Sequence, residues 1–234
     1  MKKLLLFILL VTFLGSALAQ NVERRNVGEY DEVSVSGWFD VTLVDGSEGE
    51  ITLEGKASQL KYIDTEVRDG RLKIEWSKRY NINPFYSFSK INITVPVEDI
   101  SAVYLSGSGS VIGEEELNAN RFSTKLSGSG KIELDVVAEK VNTGISGSGD
   151  IVLRGKTKDL DIEVSGSGDV KAFGLEADYV AASISGSADV NVKANEKIWA
   201  RISGSGDVNY IGSPDKIDSK ISGSGSVSKG KVNM

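Results

Sequence analysis

Along the second half of the chain, apolar and polar residues alternate with a period of two, and the alternation restarts about every twenty residues. An aliphatic residue stands at Leu105, Leu126, Ile145, Val164, Ile184, Ile202 and Ile221. Six positions after each comes a β-branched one: Val111, Ile132, Ile151, Val170, Val190, Val208 and Val227. Four positions before each stand Ser101, Phe122, Val141, Leu160, Val180, Ile198 and Ile217, mostly apolar. All these offsets are even, so in an extended chain the side chains share one face. The residue preceding each aliphatic reads Tyr104, Lys125, Gly144, Glu163, Ser183, Arg201 and Lys220, a mostly polar column as an outward face should be. The pattern predicts long strands.

Between the apolar columns lies one short motif in seven copies: SGSGS from Ser106, SGSGK from Ser127, SGSGD from Ser146 and Ser165, SGSAD from Ser185, SGSGD from Ser203 and SGSGS from Ser222. Its spacings are 21, 19, 19, 20, 18 and 19 residues. Gly-Ser composition alone would indicate a flexible linker, but the flanking columns reject that. A near-constant period of this length marks a solenoid, in which each repeat buries its apolar face only by stacking on its neighbours. The parity places both motif glycines inward and the serines and aspartates outward. Glycine there lets walls approach closely or turns a sharp corner. Ala188, in the place of the second glycine, argues against an obligatory positive φ at that position. The expected architecture is all-β: a right-handed parallel β-helix or solenoid of about 19-residue coils over residues 106–234. With strands about 4.8 Å apart, seven coils make a rod of roughly 30 Å. Such a rod needs no metal or cofactor.

Residues 20–105 carry strands without the strict repeat and are expected to cap the first coil, shielding an edge that would otherwise pair with other chains. Val33–Val44 alternates and holds a degenerate motif, Ser36-Gly37 followed by Asp40-Val41. Ile51–Glu54, Arg71–Trp76 and Ile91–Val95 are further strands, and Asp69-Gly70 reads as a hairpin turn. Ser58–Thr65 is expected to form one short helix. The last coil has no evident cap, and its lysines either guard that edge or face an oligomer contact.

The first nineteen residues look like a secretory leader. Lys2 and Lys3 precede an apolar run from Leu4 to Leu14, and Ala17-Leu18-Ala19 is a small-residue cleavage pattern. The run is too short to span a bilayer, no later apolar run exceeds a strand, and the absence of cysteine excludes a lipid-anchored N-terminus. Thus no transmembrane segment is expected once the leader is removed. The net charge of −6 opposes nucleic-acid binding. Without cysteine there is no disulfide framework, and without histidine the commonest general base and metal ligand is missing.

Three features could carry function. Asp150, Asp169, Asp189 and Asp207 form an outward acidic column whose repulsion calcium could relieve. The period is about twice that of calcium-binding β-rolls, however, so solvated, turn-forming aspartates are the expectation. A sugar-cleaving site would need two carboxylates converging in a groove, and connections this short build little of one, so no enzyme is expected. Finally, Trp76, Tyr80, Phe85, Tyr86 and Phe88 crowd five aromatics into thirteen residues. Exposed rings of this kind stack on sugars and anchor interfaces, so the cluster is the candidate ligand surface, unless it covers the solenoid end.

Taken together, Gly37–Val44, Val67–Ile74 and the Ser-Gly-Ser-Gly-Asp series resemble the "putative auto-transporter adhesin, head GIN domain" family of exported proteins, from about Tyr30 to Val232. The resemblance implies a β-helical fold and an envelope or secreted location, and it brings no catalytic or ligand residues. The expectation is an adhesin-like binding module at the cell envelope or outside it, contacting a surface glycan or protein through repeated weak contacts along its rungs. The alternatives are a periplasmic structural or envelope-stress protein without an external ligand and, further off, a carbohydrate-active enzyme. The oligomeric state is left open.

Overall fold

An alternating strand with one apolar face is stable only when the next strand continues that face, and the chain satisfies this by coiling upon itself. The computed structural model describes residues 21–78 and 89–230; the leader-like first nineteen residues lie outside them. In chain order the elements are β1 (Asn21–Gly28), β2 (Glu32–Gly37), β3 (Asp40–Asp45), β4 (Gly49–Gly55), the helix α1 (Ala57–Leu60), β5 (Ile63–Arg68), β6 (Arg71–Trp76), β7 (Asn92–Val97) and β8 (Ala102–Gly107). The repeats supply β9 (Ser110–Gly128), β10 (Lys131–Gly147), β11 (Asp150–Gly166), β12 (Val170–Gly186), β13 (Asp189–Gly204), β14 (Asp207–Gly212), β15 (Lys216–Gly223) and β16 (Ser226–Lys229).

From β8 onward every neighbour is parallel, and the motif copies stack in register: Ser146 lies on Ser165, Gly147 on Gly166, Ile145 on Val164. The result is a β-solenoid of about seven turns with coils of about nineteen residues. Departures from that length are absorbed locally. The 21-residue spacing before β10, for example, slips the register between Glu133 and Asp135. The expected apolar columns are the core: Leu105, Leu126, Ile145, Val164, Ile184 and Ile202 are at most 3 % exposed. Each such side chain contributes about 1.5–3 kcal/mol by leaving water.

The motif turns a corner, and its two glycines differ. The first has positive φ in every copy, for example +134° at Gly147 and +127° at Gly166. The amide of the following serine donates to the first glycine's carbonyl one coil below, as Ser148 to Gly128 (2.9 Å) and Ser167 to Gly147 (2.8 Å). A Cβ on Gly147 would fall 2.4 Å from that same Gly128 oxygen. Torsion and stacking therefore both demand glycine. The second glycine lacks positive φ and is buried in all but the last coil, and Ala188 takes its place fully buried, as the sequence implied.

The same corner recurs at the start of the chain. Ser36-Gly37 stacks on Ser106-Gly107, and Asp40 lies beside Ser110. The run Val33–Val44 is thus two strands, β2 and β3, bent at the degenerate motif. Here the order of stacking departs from chain order: β6 and β7 lie on one side of β2 and β3, while β8 and β9 lie on the other. Antiparallel strands then close this end, with β5 on β6 and β1 on β4. The β5–β6 hairpin turns at Asp69-Gly70, both at positive φ. Arg25 ties the closure together by donating to the carbonyls of Leu60 (2.9 Å) and Ile63 (2.6 Å). The helix expected over Ser58–Thr65 is only the single turn Ala57–Leu60, because Ile63, Thr65 and Val67 alternate and pair with β6 as a strand. At the other end, Ile217 and Ile221 of β15 continue the apolar columns but are 39 % and 40 % exposed.

Candidate binding surface

Because one residue of each coil lies directly over its counterpart in the next, outward side chains form straight columns. One runs Ser34, Tyr104, Lys125, Gly144, Glu163, Ser183, Arg201, Lys220. Two residues earlier runs Ser123, Asn142, Asp161, Ala181, Trp199, and two residues later the serine column from Ser106 to Ser222. Gly144, Ser183 and Ala181, together with the serine column, leave a shallow trough on this face between Tyr104 and Trp199. Two adjoining hollows of about 540 and 520 Å³ share Lys125, Gly144, Glu163 and Ser183.

Tyr104 bounds the trough at one end. The Arg71 guanidinium lies 4.6 Å from its ring centroid and is held by Glu32 (2.5 Å). Burial, and then Glu32, push the Tyr104 phenol above its ordinary pKa, against the opposing charge of Arg71. Trp199 bounds the other end, 38 % exposed, with Arg201 stacked 5.2 Å from its ring. These residues are five coils apart, about 24 Å at the strand spacing of a sheet.

The centre of the trough is Gly144. It lacks positive φ, and a Cβ there would meet nothing closer than the Lys125 Cγ at 3.6 Å. Every other glycine of the described residues has positive φ or would bring a Cβ within 3.2 Å of a neighbour. Lys125 and Glu163 flank it, one coil on either side. Among the described residues no hydrogen bond or ion pair reaches either side chain, although outward charges elsewhere are paired across coils: Arg154 with Glu133 (2.5 Å), Lys171 with Asp150 (2.8 Å), Lys193 with Glu176 (2.8 Å).

The acidic column serves the corners. Asp207 accepts from the amide and hydroxyl of Ser226 (both 2.7 Å), Asp169 from the amide of Asp189 (3.0 Å), and Asp150 pairs with Lys171. At Asp40, burial works against ionisation, but hydrogen bonds from Ser110 and Lys90 outweigh it and hold the carboxyl below its ordinary range. Among the described residues no three acidic side chains converge as a metal site would require. Of the aromatic cluster, Trp76 ends β6 and packs on Trp38 (4.8 Å between centroids) and Phe39 (4.9 Å), joining the N-terminal core. Tyr80, Phe85, Tyr86 and Phe88 lie outside the described residues. The trough was not singled out from the sequence, yet its signal was present: a glycine in an otherwise polar outward column.

A capped parallel β-solenoid with a long shallow face is a repeat architecture that presents an extended surface. The family described as "Putative auto-transporter adhesin, head GIN domain" matches residues 29–214, and the chain belongs to it. A crystal structure of a putative adhesin from Bacteroides fragilis is similar at 22 % identity and a TM-score of 0.84, over 90 % of this chain and 97 % of that one. A putative adhesin from Parabacteroides distasonis is similar at 21 % identity and a TM-score of 0.71, over 91 % and 97 %. A putative lipid binding protein from the same species gives 26 % identity and a TM-score of 0.70, over 90 % and 96 %. Among curated proteins, none matches this sequence. Among the described residues no helix is long and apolar enough to cross a membrane.

Proposed function

We propose that the chain is an exported, adhesin-like binding module of the cell envelope or its exterior, acting by contact rather than by catalysis. Its ligand is an elongated surface glycan or protein segment lying along the trough. The observation that carries this reading is the trough itself, a mostly polar face about 24 Å long between Tyr104 and Trp199. Aromatic rings give large contact area at low entropic cost and tolerate a wet, polar surround, which suits a shallow site. The leader-like first nineteen residues and the adhesin family support export. Outward carboxylates such as Glu133, Asp150 and Glu176 are engaged by lysine or arginine, as structural groups are.

The test combines place and contact. Intact cells are shaved with protease, and purified protein is applied to immobilised glycans and matrix proteins. The protein should be lost from intact cells or recovered from the medium, and should be retained on at least one surface that does not retain the double variant Tyr104→Ala, Trp199→Ala. Protection from protease until the outer membrane is opened, or equal retention of the variant, overturns it.

A further inference from the structure

Gly144 sits where the fold has no use for a glycine. In a strand interior glycine costs about 0.5–1 kcal/mol relative to alanine, because more backbone freedom is lost on folding. At the first glycine of each motif that cost is unavoidable: positive φ and the carbonyl of the coil below leave no room for a Cβ. At Gly144 the backbone is ordinary and a Cβ would make only van der Waals contact. What its missing side chain does is open the floor of the trough. Stability forgone at a half-buried position on the outward face is the mark of a site kept for contact, and a strand glycine of this kind allows close approach of a ligand.

The groups around the notch indicate what approaches. Lys125 and Glu163 face each other across Gly144, about 10 Å apart at two strand spacings. Had they been neighbours they could have paired, as Arg154 and Glu133 do. Separated by a glycine, they present one donor and one acceptor to whatever lies between them, with serine hydroxyls alongside. A ligand carrying net charge would meet one of the two with the wrong sign. A ring bearing several hydroxyls satisfies both, while its apolar face rests on the Gly144 backbone and the Lys125 stem beside it.

We infer that the Gly144 notch is a saccharide subsite, and that the trough takes a neutral linear glycan with one sugar ring seated over Gly144 between Lys125 and Glu163. This inference rests on the trough being the binding face and adds the class of ligand and the residue that admits it.

The experiment is calorimetric titration of the full chain with neutral hexasaccharides of β-linked glucose, β-linked xylose and N-acetylglucosamine, and with phosphatidylcholine–phosphatidylglycerol vesicles. At least one hexasaccharide should bind and the vesicles should not. Gly144→Leu then weakens that hexasaccharide about tenfold or more, with an unfolding midpoint no lower than that of the unmodified chain. Gly144→Ala is the milder companion, with unchanged fold and a smaller loss. No binding by any hexasaccharide, or binding by vesicles alone, overturns the class of ligand. Undiminished binding by Gly144→Leu while the Tyr104→Ala, Trp199→Ala variant loses it overturns the notch and leaves the trough standing. Undiminished binding by both variants overturns both.

Discussion

Two glycines three residues apart in one coil should respond to the same substitution with opposite signs. At Gly147 alanine meets two penalties. The backbone, at φ +134°, lies in a region that residues with a Cβ occupy at a cost of about 1–3 kcal/mol. The new methyl also lies 2.4 Å from the Gly128 carbonyl oxygen, so the coils must part locally, at about 1–3 kcal/mol for overpacking. Gly147→Ala should therefore destabilise by about 2–6 kcal/mol, lowering the thermal midpoint by about 5–20 °C for a chain of this size. At Gly144 the methyl has room, and the restricted unfolded chain should give about 0.4–1 kcal/mol of stabilisation, or about 1–4 °C. Circular dichroism during heating and in urea reads both. Gly147→Ala unfolding with the unmodified chain, or Gly144→Ala unfolding well below it, refutes the account of the corner and of the notch respectively.

Phe122→Ala removes a fully buried ring from the third apolar column and should cost about 3–5 kcal/mol in urea unfolding. Among the described residues the buried Thr143 hydroxyl has no hydrogen-bond partner, so Thr143→Val should stabilise by about 1 kcal/mol in the same assay. Hydrogen bonds from Lys131, and then Arg154, hold the Glu133 carboxyl below its ordinary pKa. Its contribution is therefore fully present above the unfolded-state pKa of about 4.3 and is lost as pH falls through the lower folded value. Stability measured against pH should drop less steeply on the acid side in Glu133→Gln, and identical acid limbs would deny the pairing any role.

The solenoid was legible because its signals are local and repeated. Parity gives the inward columns, the period gives the coil, and each copy confirms the last. Ala188 correctly separated the second glycine from any demand on φ. Parity could not show that the first glycine turns the corner, since a torsion angle leaves no trace in the spacing of apolar residues. Nor could it show β2 slipping between β6 and β8, because stacking out of chain order depends on contacts far apart in sequence. The trough fell between these cases. Tyr104, Gly144 and Trp199 are ninety-five residues apart end to end, and only the stacking of coils sets them on one face. Aromatic density pointed instead to Trp76, which the structure joins to Trp38 and Phe39 at the capped end.

The most direct test of the account is a crystal structure of the full chain with the tightest-binding hexasaccharide from the titrations. The sugar should lie along the outward trough, between Tyr104 and Trp199, with a ring over Gly144 in reach of Lys125 and Glu163. A sugar seated on the serine corners, at the aromatic cluster near Trp76 or on the exposed last coil would contradict it.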